Sequence, residues 1–277
     1  MSVNDNGLRV RGGLTIKRIH VRKLLLRAFI STCVIGAVIA VFRVSQNIRL
    51  FAAIKRNDAV RVQQLLRFGA SPNARDYWIR GRDTDNIRRV LSDRLTGKTA
   101  DGMYPTPLCE ALDSQVDGPY EFACLPENPP LIKALLDAGA DPRITGIGRS
   151  TPLEIAAGSG RIEIVKMLLV RRYAAQPEID QAFLDATIFQ KWSAAHVLLD
   201  AGGNPNVADG QGYSVLMLAV LRQQPDFVEA LLRRGADPEH EAENGVSVLS
   251  LAISRGDERS LALVTQARGR RNQNRKN

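Results

Sequence analysis

The chain of 277 residues is long enough for one large domain or two ordinary ones, and only 5% of it is aromatic, which is little for a conventional globular core. Its net charge of +9 suggests a nucleic-acid-binding protein, but the positive charge lies at the two ends. Residues 1–43 carry eight basic groups and one acid, residues 268–277 carry five and none, and residues 44–267 carry 25 basic and 28 acidic groups. A nucleic-acid-binding domain needs a basic surface on its folded part, so we predict no nucleic-acid partner.

An apolar stretch near the N-terminus predicts a membrane anchor. Residues 24–42 read "LLLRAFISTCVIGAVIAVF", which is 19 residues with Arg27 as the single charge. About 20 apolar residues span a bilayer, and an arginine near the end of a span can extend its side chain to the interface. A cleaved signal peptide is the alternative, with Val38 and Ala40 preceding a cleavage site before Val41. The basic region would then be unusually long, so we favour an uncleaved anchor.

The basic residues around this stretch predict its orientation. Seven basic residues precede Ala28, and five lie between residues 43 and 61. These flanking charges also disfavour a buried core helix. Because cytoplasmic segments carry the excess of Lys and Arg, we expect the basic segment 1–23 on the cytoplasmic side. The predicted localisation is the inner (plasma) membrane, in a single pass, with the remaining chain periplasmic or otherwise extracytoplasmic.

One phrase recurs along the remaining chain. Its four copies are "LLRFGASPNA" from Leu65, "LLDAGADPRI" from Leu135, "LLDAGGNPNV" from Leu198 and "LLRRGADPEH" from Leu231. With spacings of 30, 33 and 33 residues, a second group of related stretches begins at Thr151, Gln181, Ser214 and Ser247. A nearly constant period of this length is typical of a solenoid built from repeated helical units.

Each repeat is predicted to form two antiparallel helices. In "TPLEIAAGSG", Thr151 caps the first helix and Pro152 fits its first turn. The apolar face of the second helix recurs at helical spacing, at Ile162, Val165, Leu168 and Leu169. In the recurring phrase, Gly139 can adopt the left-handed conformation that ends such a helix, and Pro142 prevents its continuation.

These features resemble the ankyrin repeat, whose pattern is T-P-L-H-x-A followed by a second helix and Gly-Ala-Asp. The stretch "DGQGYSVLMLAV" from Asp209 follows this pattern with Ser-Val in place of Thr-Pro. The family's histidine is replaced in the copies by Cys109, Glu154, Met217 and Ser250. The resemblance covers most of residues 45–267. It implies an all-α ankyrin-repeat solenoid of about six repeats, made of helix-turn-helix units with hairpin fingers and preceded by one transmembrane helix.

Two stretches interrupt the repeats. Residues 77–104 are either an inserted element or an eroded repeat, and an insertion is also predicted near residues 113–130. Beyond the repeats, the basic residues 268–277 are expected to be a disordered tail. We leave open whether the N-terminal span is cleaved.

No pattern for catalysis, a cofactor or a metal ion stands out. The histidines His20, His196 and His240 lack the spacing of metal ligands. The stretch "GIGRST" at Gly146–Thr151 lacks the further glycine and the lysine of a phosphate-binding loop. We therefore predict a non-enzymatic protein without a cofactor or a metal site.

The resemblance implies protein–protein interaction, with an unknown protein partner on the concave face formed by fingers and first helices. The predicted contact residues are Met103, Ile147, Ser150, Gln211, Tyr213, Arg222, Asn244, Val246 and Arg255. Tyr213 is the strongest candidate, although it could instead pack on its own hairpin. Two alternatives stay open: the inserted segments carry an enzymatic site, or the protein is a cytoplasmic scaffold tethered to the membrane.

A disulfide is a further expectation. Cys109 and Cys124 are 15 residues apart and flank the insertion near 113–130. If this region is exported, oxidising conditions would allow them to pair. The alternative is two separate thiols, with Cys109 packed beneath its helix.

Overall fold

The computed structural model describes residues 5–75, 105–112, 127–146, 150–170 and 174–274. Apart from two isolated strand bridges, these residues form helices, turns and loops. In chain order the helices are α1 (Asp5–Lys55), α2 (Ala59–Arg67), α3 (Pro107–Leu112), α4 (Pro129–Asp137), α5 (Pro152–Ser159), α6 (Ile162–Val170), α7 (Gln176–Ile188), α8 (Trp192–Asp200), α9 (Val215–Leu221), α10 (Pro225–Arg233), α11 (Val248–Arg255) and α12 (Glu258–Asn274). The predicted all-α fold is confirmed.

The helices form two layers. Helices α1, α3, α5, α7, α9 and α11 contact one another in that order and form the first layer. Helices α2, α4, α6, α8, α10 and α12 do the same in the second layer, and each packs on its partner in the first. The described residues thus form six helix pairs stacked side by side, as expected for a solenoid in which each unit contacts only its neighbours.

The predicted caps define the helix ends. The Thr151 hydroxyl accepts the Glu154 N–H at 3.3 Å, while the Glu154 carboxylate accepts the Thr151 N–H at 3.1 Å, which is a complete capping box. At the other end of each unit, Gly139 has a φ of +89° and so can end α4 in the left-handed conformation. The same role recurs at Gly69, Gly202 and Gly235.

Small residues allow the repeats to approach closely, and aromatic residues fill the wider spaces. Ala156 and Ala157 are completely buried, as the sequence predicts. The rings of Phe183 and Phe227 meet edge to face with centroids 6.2 Å apart, and Trp192 lies 5.6 Å from Phe227. Trp192 is therefore part of the packing between repeats four and five.

Asparagine side chains join neighbouring repeats at their turns. Asn73 donates to the Gly139 carbonyl at 3.0 Å and accepts the Asp141 N–H at 2.7 Å. Asn206 makes the equivalent pair of bonds to the Gly235 carbonyl and the Asp237 N–H, at 3.2 and 2.7 Å. Because the same amide satisfies a donor and an acceptor of the next unit, it fixes the register of stacking.

Helix α1 contains both the apolar stretch and the first helix of repeat one. Its side chains from residue 25 to residue 44 are exposed on every side, whereas Leu50 and Ile54 are buried in the first repeat. The Asn47 carboxamide accepts the Ser71 N–H at 2.8 Å and so joins α1 to the turn after α2. A core helix would be buried along this apolar stretch, so that alternative does not agree with the structure.

The structure differs from the sequence-based boundaries in two places. Helix α12 continues to Asn274, so most of the tail expected to be disordered is helical. This part of α12 contacts the preceding repeat through the ion pair between Arg271 and Asp237. The insertion near 113–130 also ends earlier, because the Asn128 side chain caps α4 by accepting the Leu131 N–H at 3.1 Å. Residues 113–126 and 77–104 lie outside the described residues.

The turns between paired helices generate a stability prediction. Gln190 occupies the left-handed region with a φ of 58°, where Gly256 stands in repeat six with a φ of 66°. An L side chain in this region is strained, so Gln190→Gly should raise the free energy of unfolding by about 0.5–1 kcal/mol. Gly256→Ala, whose new Cβ meets no atom within 4 Å, should lower it by a similar amount. Urea unfolding measures both, and a loss of stability in Gln190→Gly would contradict the prediction.

Candidate protein-binding face

Two hairpin fingers precede α9 and α11. In the first, the Asp209 N–H donates to the Tyr213 carbonyl at 3.0 Å, and the Asp209 carboxylate accepts the N–H groups of Gln211 and Tyr213 at 2.9 and 2.8 Å. The second finger repeats the backbone bond, from the Ala242 N–H to the Val246 carbonyl at 2.9 Å, and the Asn244 side chain accepts the Val246 N–H at 3.2 Å. We call the surface formed by these fingers and the exposed side of the first helices the inner face.

The two fingers are bonded to each other. The Asn244 carboxamide donates to the Tyr213 hydroxyl at 2.9 Å, and the Glu243 N–H donates to the Gln211 carbonyl at 3.3 Å. His240 Nε2 lies 2.8 Å from the Gly212 carbonyl oxygen, so a proton on Nε2 completes a third bond. The half-buried Tyr213 ring also packs against the core. Tyr213 therefore supports the fingers and presents only part of its ring to a partner.

The other predicted contact residues fall into two groups. Gln211 and Asn244 are exposed on the fingers, with half-buried Val246 beside them and half-buried Ser150 just before α5. Arg222 and Arg255 are exposed at the far ends of α9 and α11. Met103 and Ile147 lie outside the described residues. The role of all these residues in binding stays a prediction.

Exposed apolar side chains at the far ends of two first helices, in repeats four and six, were not predicted from the sequence. Ile188, Phe189 and Ile253 are 38%, 60% and 61% exposed, which is unusual for large apolar side chains near the core of a stack. The Phe189 ring lies over Gly158 of the preceding repeat, where an added Cβ would be 3.2 Å from it. Repeat four lacks the Thr-Pro cap, so its first helix could not be aligned as far as Phe189. Continuing the helical pattern of apolar residues along α7 would have placed Phe189 on the exposed side.

A pair of carboxylates was also missed. Burial raises the pKa of Glu154, and the nearby charges of Asp185 and Glu178 raise it further. Burial likewise raises the pKa of Asp185, against a hydrogen bond from Gln181. The first helices of repeats three and four therefore present negative charge in a partly desolvated setting, whereas repeats five and six present Arg222 and Arg255. Glu154 occupies the place of the family's histidine, and this substitution was the sequence signal that could have indicated the carboxylates.

The predicted disulfide stays a prediction. Cys109 is buried, and its thiol lies 3.3 Å from the Ile144 carbonyl oxygen. This position agrees with a residue packed beneath its helix. Cys124 lies outside the described residues.

Within the described ranges, no three His, Cys, Asp or Glu side chains lie close enough together to hold a metal ion. The segments to which an enzymatic alternative was assigned lie mainly outside those ranges.

Comparison with known proteins agrees with the stacked architecture. The family model described as Ankyrin repeat matches residues 149–180 and 211–242, which include the helix pairs α5–α6 and α9–α10. The chain carries ankyrin repeats.

Individual relatives cover only part of the chain. Ankyrin repeat and SOCS box protein 6 of Mus musculus is 38% identical over 117 residues, covering 40% of this chain and 27% of the relative. An ankyrin repeat-containing protein of Treponema pallidum is 30% identical over 127 residues, covering 44% of this chain and 42% of the relative. The chain thus matches less than half the length of these curated relatives. Ankyrin repeats imply protein–protein interaction, but these matches do not identify a partner.

A solved structure shares the fold. The ankyrin repeat domain from Acinetobacter baumannii has a TM-score of 0.51 and 21% sequence identity, covering 66% of this chain and 93% of that domain.

The raised carboxylate pKa values generate a pH-dependent prediction. Glu154→Gln keeps an oxygen that can accept the Thr151 N–H but removes a charge that the folded state disfavours. A raised pKa in the folded state means that stability is lost as pH rises through that value. The substitution should therefore raise the free energy of unfolding by about 0.5 kcal/mol near neutral pH. The gain should disappear once the pH falls below the ordinary Glu pKa of 4.5.

Urea unfolding at neutral and acidic pH measures this difference. Glu163→Gln is the control, because Glu163 is exposed on α6 and pairs with Lys166 at 3.1 Å. It should give no gain near neutral pH. An equal gain for Glu154→Gln at both pH values would mean that its charge is not the cause.

Proposed function

We propose that this protein is a membrane-anchored, non-catalytic ankyrin-repeat protein that binds a protein partner on its inner face, on the extracytoplasmic side of the inner membrane. The observation that carries the proposal is the continuity of α1. One helix has apolar side chains exposed on every side over residues 25–42 and then contributes Leu50 and Ile54 to the core of repeat one.

Lipid is the environment that best suits the exposed part of α1. It is the one helix, within the part of the chain that the structure describes, that is long and apolar enough to cross a membrane. An apolar surface on all sides of a helix is unfavourable in water, and the hydrocarbon region of a bilayer removes that cost. Cleavage before Val41 would still leave Leu50 and Ile54 in the first repeat, so an exported, released domain is the main competing arrangement.

The inner face has the composition of a binding surface. It presents Phe189 and Ile253 as exposed apolar groups and Arg222 and Arg255 as exposed cations. Aromatic side chains, including phenylalanine, and arginine are enriched at the cores of protein interfaces. The carboxylates on α5 and α7 favour a partner that places a basic group beside them.

A topology reporter tests the membrane arrangement. A reporter active only outside the cytoplasm, fused after Asn277, should be active, because the basic residues before Ala28 favour a cytoplasmic N-terminus. The chain should also keep its full length, and it should stay in the membrane fraction after an alkaline carbonate wash. Activity of a cytoplasm-only reporter would instead indicate a tethered cytoplasmic scaffold, and a shortened, extractable chain would indicate a signal peptide.

Paired substitutions test the binding face. Phe189→Ala with Arg222→Ala should weaken capture of the partner by the intact anchored protein by about 1–3 kcal/mol, since both side chains are exposed on the inner face. Partner recovery after cross-linking and purification measures this. The control is Val170→Ala with Lys166→Ala, which also removes one apolar and one positively charged side chain, but from exposed positions on the second layer. It should leave recovery unchanged.

The thermal midpoint of each variant separates binding from folding. Equal recovery from both double variants would contradict the assignment of the inner face. A loss of recovery accompanied by unfolding of the stack would also count against it.

A further inference from the structure

The stack has one edge at which the first helices begin and the second helices end, which we call the loop edge. Ser71, just after α2, bonds to Asn47 in α1 at 2.8 Å. In repeat four, the Gln176 carboxamide at the start of α7 donates to the Gly202 carbonyl just after α8 at 2.9 Å. In both repeat one and repeat four, the first helix therefore begins beside the end of the second helix.

Helix α1 leaves the stack at the loop edge. Its burial in repeat one begins at Gln46, and Phe42 is the last residue of the apolar stretch. At 1.5 Å per residue, the apolar stretch ends about 6 Å from the first buried turn. If residues 25–42 lie in a bilayer, as proposed above, the lipid headgroups therefore lie directly beside the loop edge.

Helix α12 projects from the same edge at the other end of the stack. It is the second helix of its pair, so it runs toward the loop edge, where Arg271 pairs with Asp237 in the loop after α10. It has 17 residues, whereas α10 has nine. The additional length extends it about 12 Å beyond the end of α10, on the same edge of the stack from which α1 leaves.

The projecting part of α12 is basic. It carries Arg268, Arg270 and Arg271 and no acidic residue after Glu258. Arg271 pairs with Asp237, but in the described part of the chain neither Arg268 nor Arg270 makes an ion pair. Arg270 is exposed to solvent and Arg268 is half-buried, so neither side chain belongs to the apolar core.

A groove runs between this part of α12 and the loop after α10. Its volume is about 680 Å³, and its lining includes Arg233, His240, Arg270 and Arg271. Two acids, Glu229 and Asp237, also line it, but each is paired with an arginine of the same groove. The groove can therefore accept an anionic group of the size of a phospholipid headgroup beside Arg270.

We propose that the basic end of α12, Arg268–Asn274, is a second membrane contact that binds the anionic lipid headgroups of the bilayer crossed by α1. This inference rests on the proposed membrane anchoring. Contacts at both ends of the stack hold its long direction along the membrane surface. Each basic residue close to an anionic surface strengthens association about fivefold, and the effect decreases as salt screens the charges.

Energy transfer from a dye at the C-terminus to dye-labelled lipid headgroups tests this contact in the full chain. The protein is reconstituted into vesicles of phosphatidylcholine alone or mixed with phosphatidylglycerol. Transfer should be strong only with phosphatidylglycerol, and high salt should abolish it. Arg268→Glu with Arg270→Glu should abolish it too. Arg56→Glu with Lys191→Glu, the same change of charge at exposed turns on the opposite edge of the stack, should leave it intact.

Flotation of the vesicles distinguishes this inference from the anchoring proposal. A chain that floats with the vesicles but shows the same transfer with and without phosphatidylglycerol would overturn the lipid contact alone. Equal loss of transfer in the two charge-reversed variants would also overturn it. A chain that does not float would overturn both proposals.

Discussion

Each helix pair of this protein buries its apolar face only against the pairs beside it, and every other feature depends on that stacking. Ala156 and Ala157 allow close approach, and the Phe183–Phe227 contact fills the wider space between repeats four and five. Asn73 and Asn206 then fix the register through two bonds each to the next turn. Because packing is local, the chain can lengthen or insert at one repeat without disturbing distant ones.

The same local logic explains what the sequence could predict. Thr151 acts through its hydroxyl on the next turn, and Pro152 and Gly139 act through their own backbone geometry. Their roles as cap, first-turn residue and helix end therefore follow from residue type alone. The contact of α12 with Asp237 does not follow from residue type, because it depends on how the last two repeats stack. The exposure of Phe189 likewise depends on Gly158 in the preceding repeat, which leaves space above the helix for the ring.

The sequence could predict which residues lie on the fingers, but it could not predict the contacts between the fingers. The repeat pattern placed Gln211 and Asn244 on fingers, and both are exposed there. It could not reveal that Asn244 bonds to Tyr213, because a contact between repeats depends on the angle at which fingers stack. A half-buried tyrosine in such a bond contributes to the stability of the surface as well as to its chemistry. For this reason Phe189 is a more informative residue than Tyr213 for separating binding from folding.

The proposed arrangement places the membrane contacts at the loop edge, while the inner face extends from the fingers at that edge to the opposite ends of the first helices. At the loop edge, α1 enters the bilayer and the basic end of α12 meets the headgroups. Phe189, Arg222 and Arg255 lie at the opposite ends of the first helices, and therefore point away from the membrane. A partner would then approach from the aqueous compartment and meet exposed apolar and cationic groups beside the carboxylates of α5 and α7. Since α1 continues into the core of repeat one, that orientation would be imposed by the helix itself rather than by a linker.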